Sequence, residues 1–245
     1  GVDRLQLDAL ILGRTRAQGT QSGRIITIND LESDLFHGGM AAKLSWDLNH
    51  NQLDFEELAL ANWQLDLQTL PTLPVVLPHI TAEQITLENI SAIDLSKHFA
   101  LNQATGTVEK LTWLPGQWPT FEYQGKLGEF TDGLFQLTDM QGEGRLRDQD
   151  WRLQLEGAAY AGQFNADLEG NRQPATLTIN DLQLNNMQPE LRPGWHEWLA
   201  AQPFQQIDLR RLDVSHFSLI SFDDNVPLTM KWLDLFLTDL RWTPQ

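Results

Sequence analysis

Cysteine is absent from the chain, which removes disulfides, thiolate metal sites and a cysteine nucleophile from consideration at once. Positive charge is scarce, since 17 Lys and Arg stand against 33 Asp and Glu and leave a formal net charge of −16. That balance repels phosphate backbones and anionic headgroups, so no nucleic-acid partner is expected. Arg210-Arg211 is the nearest approach to a basic cluster, which leaves membrane contact to apolar surface or to segments missing from this chain. Long hydrophobic runs are lacking too. Leu73 to Leu77, broken by Pro74, falls far short of the roughly 20 residues of a membrane helix. The start at Gly1-Val2-Asp3-Arg4, with no initiator Met and no signal-like core, reads as a stretch excised from a longer polypeptide.

Motifs of covalent chemistry are equally sparse. The six histidines, His37, His50, His79, His98, His196 and His216, occur singly. His196-Glu197 begins a zinc-helix motif, but position 200 is Ala200, so the second ligand is missing and no metal is expected. Gly142-Glu143-Gly144 lacks the third glycine of a dinucleotide loop and reads as a hairpin turn. No Gly-x-Ser-x-Gly elbow or phosphate loop occurs. Carboxylate groupings such as Asp30, Glu32 and Asp34 fit a polar strand face or turn capping. These absences point to a protein that is not an enzyme and needs no cofactor.

What is present is an unusual spacing. In Ile207, Leu209, Leu212, Val214, Phe217 and Leu219 the apolar residues fall at steps of two, three, two, three and two. At 100° per residue these positions scatter around a helix, so no apolar stripe forms. Steps of two are strand alternation, and each step of three reverses the face unless a bulge or bend intervenes. The same arrangement occurs in Leu177, Ile179, Leu182, Leu184 and Met187, and in Leu228, Met230, Leu233 and Leu235, with Leu240 and Trp242 further on. Weaker copies lie at Leu5 to Leu10, Ile26 to Leu31, and Ile80 to Ile90. Hairpin-like stretches at Phe121 to Leu137, Trp151 to Leu155 and Phe164 to Leu168 predict mostly antiparallel neighbours. Proline-rich stretches at 70–78 and 113–119 read as loops. The reading is one elongated β-rich segment over 1–245 with a weak sub-boundary near 70–79. A short helix near 193–202 is expected, with Pro193 in its first turn and Trp195, Trp198 and Leu199 at helical spacing. Most of the nine tryptophans read as core or groove-wall residues.

The runs Asp181-Leu182-Gln183-Leu184, Gln206-Ile207-Asp208-Leu209-Arg210-Arg211-Leu212-Asp213-Val214 and Ala82-Glu83-Gln84-Ile85-Thr86-Leu87-Glu88-Asn89-Ile90 resemble the AsmA-like family. So does the order of the last third: a strand over Ala175 to Met187, a short Trp-bearing helix, a kinked strand from Gln206, then Leu228 to Leu240. The resemblance implies an inner-membrane-anchored protein with a periplasmic, bridge-like body. Its fold would be mainly β, a long, curved, largely antiparallel sheet folded into a trough with an apolar inner face. The implied role is phospholipid transport between inner and outer membranes and outer-membrane integrity.

On that reading the groove lining comprises Leu177, Ile179, Leu182, Leu184, Ile207, Leu209, Leu212, Val214, Leu228, Met230, Leu233 and Leu235. A closed core demands the same alternation, so the pattern alone is neutral between the two. The expected partner is phospholipid, with envelope proteins as possible partners. The alternative is an envelope scaffold or protein-docking β module that holds no lipid.

Overall fold

A computed structural model describes residues 5–7, 10–69, 78–132, 135–191, 203–221 and 229–243. Within them the chain is strand after strand, and the one helical element is a single 3₁₀ turn at Leu95–Lys97. The helix expected near 193–202 and the sub-boundary near 70–79 fall largely or wholly outside the described residues. Two compact units are formed, Gly1–Gly128 with Leu146–Asp148 and Glu129–Arg145 with Gln149–Gln245.

The first unit opens with a two-stranded hairpin, β1 (Leu5–Leu7) and β2 (Leu10–Leu12). Then follow β3 (Thr15–Ser22), β4 (Ile25–Leu35), β5 (Gly38–Asp47), β6 (Gln52–Ala61), β7 (Gln64–Asp66), β8 (His79–Asp94), β9 (Phe99–Trp113) and most of β10 (Thr120–Asp132). Their sheet order is β3-β4-β5-β6-β8-β9-β10, with β7 also on β8. The second unit contains most of β11 (Phe135–Arg147), then β12 (Asp150–Ala159), β13 (Gly162–Arg172), β14 (Ala175–Asn185), β15 (Glu190–Leu191), β16 (Gln206–Ser221) and β17 (Thr229–Trp242). Its order is β11-β12-β13-β14-β16-β17, with β15 also on β16.

Most neighbours pair antiparallel, as the hairpin-like stretches predict, but each unit contains one parallel junction. In the first, β6 and then β7 run alongside β8 at one constant stride, Gln52 against His79, Leu60 against Leu87 and Gln64 against Ser91. In the second, β14 and then β15 run alongside β16, Leu177 against Ile207, Leu184 against Val214 and Glu190 against Ile220. The strides are thus 27 and 30 residues. A parallel pair needs a crossover rather than a tight turn, and a constant stride is the register of a solenoid coil. The expectation of a long, curved, largely antiparallel sheet folded into a trough is corrected to that extent: each unit is a mixed sheet with a solenoid-like rung at its centre.

The units share their irregularities as well as their order. Asn62 and Asn89 stand 27 residues apart, both at positive φ (58° and 52°), and Asn186 and His216 stand 30 apart at 55° and 52°. The antiparallel partner strands carry Gln103 (58°) and Trp232 (57°), each ten residues before the strand's final tryptophan, Trp113 or Trp242. An extra residue at each place absorbs a step of three, so the apolar side chains before and after it return to the same face. The sequence pattern requires such kinks, and the backbone has them.

Left-handed backbone is uncommon outside glycine, with Asn and His enriched there, and here four of the six kinks are held by a side chain of the neighbouring strand, while the Asn62 and Asn186 amides donate to the backbone carbonyls of Glu88 and Ser215. The Asn89 amide donates to Thr105 Oγ1 at 3.3 Å, and the Gln103 amide donates to Ser91 Oγ at 3.3 Å. In the second unit the His216 amide donates to Asp234 Oδ1 at 2.7 Å, and the Trp232 amide to Ser218 Oγ at 3.4 Å. Asp234→Ala removes one of these acceptors at an exposed site where water partly substitutes, so a loss of about 1 kcal/mol is expected. Urea unfolding would read it, with Asp234→Asn retaining most of the stability because the amide oxygen still accepts. Equal losses in the two variants would show that charge, not the hydrogen bond, matters there.

Gly142-Glu143-Gly144 is not a turn but lies in the middle of β11. A Cβ on Gly142 would meet Leu155 Cδ2 at 2.6 Å, and one on Gly144 would meet Leu153 Cδ1 at 3.1 Å. These glycines give room to leucines of the next strand.

Candidate functional site

Registers in the second unit align apolar residues into four rows that cross five strands, β12, β13, β14, β16 and β17. The first row is Trp151, Gly170, Leu177, Ile207 and Trp242, and the second is Leu153, Leu168, Ile179, Leu209 and Leu240. The third is Leu155, Ala166, Leu182, Leu212 and Leu237, and the fourth is Gly157, Phe164, Leu184, Val214 and Leu235. No row contains a charged or hydrogen-bonding side chain apart from the two indoles. The kinks make this possible, because the step from Leu209 to Leu212 is matched by Ile179 to Leu182 on one side and Leu237 to Leu240 on the other.

The intervening positions form the opposite, wet face. Arg152, Glu169, Thr178, Asp208 and Arg241 lie in one cross-strand line. Ion pairs cover it: Arg152 with Asp167 at 2.9 Å, Arg210 with Glu169 at 3.4 Å and Arg241 with Asp208 at 2.7 Å. The hydrogen bond from Arg241, aided by Gln206, holds the Asp208 carboxyl below its ordinary value near 3.8. Burial pushes Asp167 up, but Arg152 and Gln154 outweigh it and leave that carboxyl low as well. Both groups are therefore fully ionised at neutral pH and suited to a solvated surface, not to proton transfer.

Among the residues expected to line a groove, Leu177, Ile179, Leu182, Leu184, Ile207, Leu209, Leu212, Leu235, Met230 and Leu233 are half-buried, and Val214 is 6% exposed. Leu228 lies outside the described residues. Eight of the twelve, together with Leu235, stand in the four rows, while Leu233 pairs with Phe217 and Met230 with Leu219 beyond the second kink. Sequence reasoning left out Leu153, Leu155, Phe164, Leu168 and Leu237, whose simple alternation carries no mark of the strands they neighbour. Nowhere among the described residues does a large side chain fall below 2% exposure, whereas the centre of a closed two-layer core reaches that level routinely. A concavity lined by Thr138, Ala158, Tyr160, Gln163 and Gln188 sits near the β12 to β13 turn and shares no residue with the predicted lining.

The first unit repeats the arrangement. Ile26, Trp46, Leu53, Ile80 and Trp113 form one row, and Leu31, Ala42, Leu58, Ile85 and Val108 another. Tryptophans again mark the end row, with Trp46 at 39% exposure. Trp118 (65%) and Trp232 (70%) are more exposed than core residues, and Trp195 and Trp198 lie outside the described residues. No group of three or more potential metal ligands gathers among the described residues, and none of their helices is long and apolar enough to cross a membrane. No family model, curated protein or solved structure matches the chain.

Proposed function

We propose that this chain is a non-enzymatic carrier segment whose apolar sheet face lines a groove for phospholipid acyl chains. The observation that carries the reading is the set of four uncharged rows across β12 to β17, continuous over five strands and mostly half-buried, with only Ala166 and Val214 buried. An acyl chain lying across such rows gains roughly 0.8 kcal/mol per buried CH₂, so a modest contact length suffices without a specific polar anchor. Side chains of this kind accept the aliphatic part of many lipids and select none by hydrogen bonding. A net charge of −16 disfavours adsorption to anionic headgroups, which suits a surface that shelters tails rather than one that coats a bilayer. The sequence resemblance to the AsmA-like family adds the setting: the periplasm, with an inner-membrane anchor outside this chain and traffic of phospholipid towards the outer membrane.

Native mass spectrometry with lipid extraction, on protein purified without detergent and beside a denatured control, tests the reading. Phospholipid released on unfolding is the expected result. A clean apo mass together with failure to take up added labelled phospholipid would overturn it in favour of an envelope scaffold that holds no lipid.

A further inference from the structure

Five strands of the first unit begin or end along one rim of its sheet. The registers Ile25 against Asp47, Asp47 against Gln52 and Gln52 against His79 align the ends of β4, β5, β6 and β8, and Ile80 against Trp113 adds β9. The rim carries the turns 23–24, 48–51 and 114–119. On and beside these turns, Ile25, Leu48, Leu114 and Trp118 leave between 38% and 65% of their surface exposed, and none of the four belongs to an apolar row. The longest turn is braced. Its Gln117 amide donates to the Leu114 carbonyl at 3.0 Å, the Trp113 indole donates to the Gln117 carbonyl at 3.1 Å, and Gly116 supplies a φ of 77°. Leu114 and Trp118 are thus presented on a fixed backbone.

Charge sets this rim apart from the rest of the chain. Across 23–25, 47–51 and 113–120 the formally charged side chains are Arg24 and Asp47, which cancel. The Asp47 carboxylate is also engaged by His50 Nδ1 at 2.7 Å and by the Asn49 amide at 2.8 Å. A chain of net charge −16 approaches phosphate headgroups against repulsion, so bilayer contact falls to surface that carries no net charge. Composition points the same way, because an indole beside aliphatic side chains suits a membrane–water interface, with the ring among acyl carbons and the N–H among headgroups. At the other end of these strands Leu67, Ile93 and Leu95 are exposed, but no tryptophan is exposed there among the described residues. A fluid interface conforms to a patch spread over three turns, whereas a protein partner needs a matched surface.

We propose that this rim of the first unit is a bilayer-contact surface for zwitterionic lipid, with Leu48, Leu114 and Trp118 seated among headgroups and upper acyl carbons. The acidic faces of the sheet stay in water. The contact stands whether or not the apolar face of the second unit takes lipid, since no residue is shared between them.

Vesicles of phosphatidylcholine with brominated acyl chains are the probe, read by co-sedimentation and by quenching of tryptophan emission. Binding is expected, and equally in Leu212→Asp, which separates the rim from lipid held by the second unit. Trp118→Ala should weaken binding about tenfold and remove part of the quenching, and Leu48→Ser should weaken it about threefold, the losses for taking one large apolar side chain out of the contact. Added phosphatidylglycerol should lower binding at low salt, and salt should restore it. The proposal fails if the vesicles do not bind, if both rim substitutions leave binding unchanged, if Leu212→Asp abolishes binding while remaining folded, or if anionic lipid strengthens it. It fails as well if the protein sediments as a dimer that Trp118→Ala dissociates, which would place a second copy on the rim.

Discussion

Leu212→Asp is expected to abolish phospholipid uptake while leaving the sheet folded. Leu212 stands in the third apolar row between Leu182 and Leu237 and is half-buried. A carboxylate there keeps contact with water in the apo protein, so the loss is limited to apolar burial of about 1 to 2 kcal/mol. An acyl chain laid across the same row would have to strip that water from the charge. The penalty of several kcal/mol cancels the gain from several methylenes, and retention of a labelled phospholipid should fall at least roughly tenfold. Asp213→Asn, one residue away on the wet face, should leave uptake unchanged. Global unfolding of Leu212→Asp by circular dichroism would place that side chain in a closed core and remove the basis for a groove.

The second large effect belongs to Gly170. It lies in the first row beneath Trp151, and a Cβ there would collide with the Thr176 carbonyl oxygen and sit 2.6 Å from Trp151 Cζ2. The carbonyl is backbone and cannot rotate away, so relief requires the β13 to β14 pairing to open. Gly170→Ala should therefore lower stability by about 3 kcal/mol, at the upper end for overpacking, and the melting temperature by roughly 6 to 12 °C. Gly39→Ala is the matched control, since nothing lies within 4 Å of its Cβ position, and it should change stability by no more than about 0.5 kcal/mol. If Gly170→Ala melts with the wild type, the close approach of Trp151 to this backbone is wrong.

Much of this architecture was legible in the spacing of leucines and isoleucines. Strand identity, the kinks and the sharing of one face by Leu209 and Leu212 follow from alternation with one residue inserted, a rule that needs no knowledge of neighbours. The parallel junctions were not legible, because β6 meets β8 through a crossover whose length says nothing of direction. Nor was the role of Gly142 and Gly144, since glycine marks a turn by its own conformation but marks close packing only through a neighbouring strand. The candidate face was read half-complete for the same reason. Kinked strands β14, β16 and β17 announced themselves, while β12 and β13, with ordinary alternation, joined the rows only once register was known.

The shared kinks also give the strands a kind of reading frame. In β16 the alternation of dry and wet side chains changes phase once between Leu209 and Leu212 and again at His216. Deleting a single residue between two kinks, at Asp213 for example, would send the side chains beyond it to the wrong face, much as a lost base garbles a message. Deleting the extra residue at a kink itself turns a step of three into a step of two and leaves the phase intact. Length changes in this sheet are therefore tolerable at the kinks or as whole coils of 27 or 30 residues, and not as the single-residue drift that surface loops absorb.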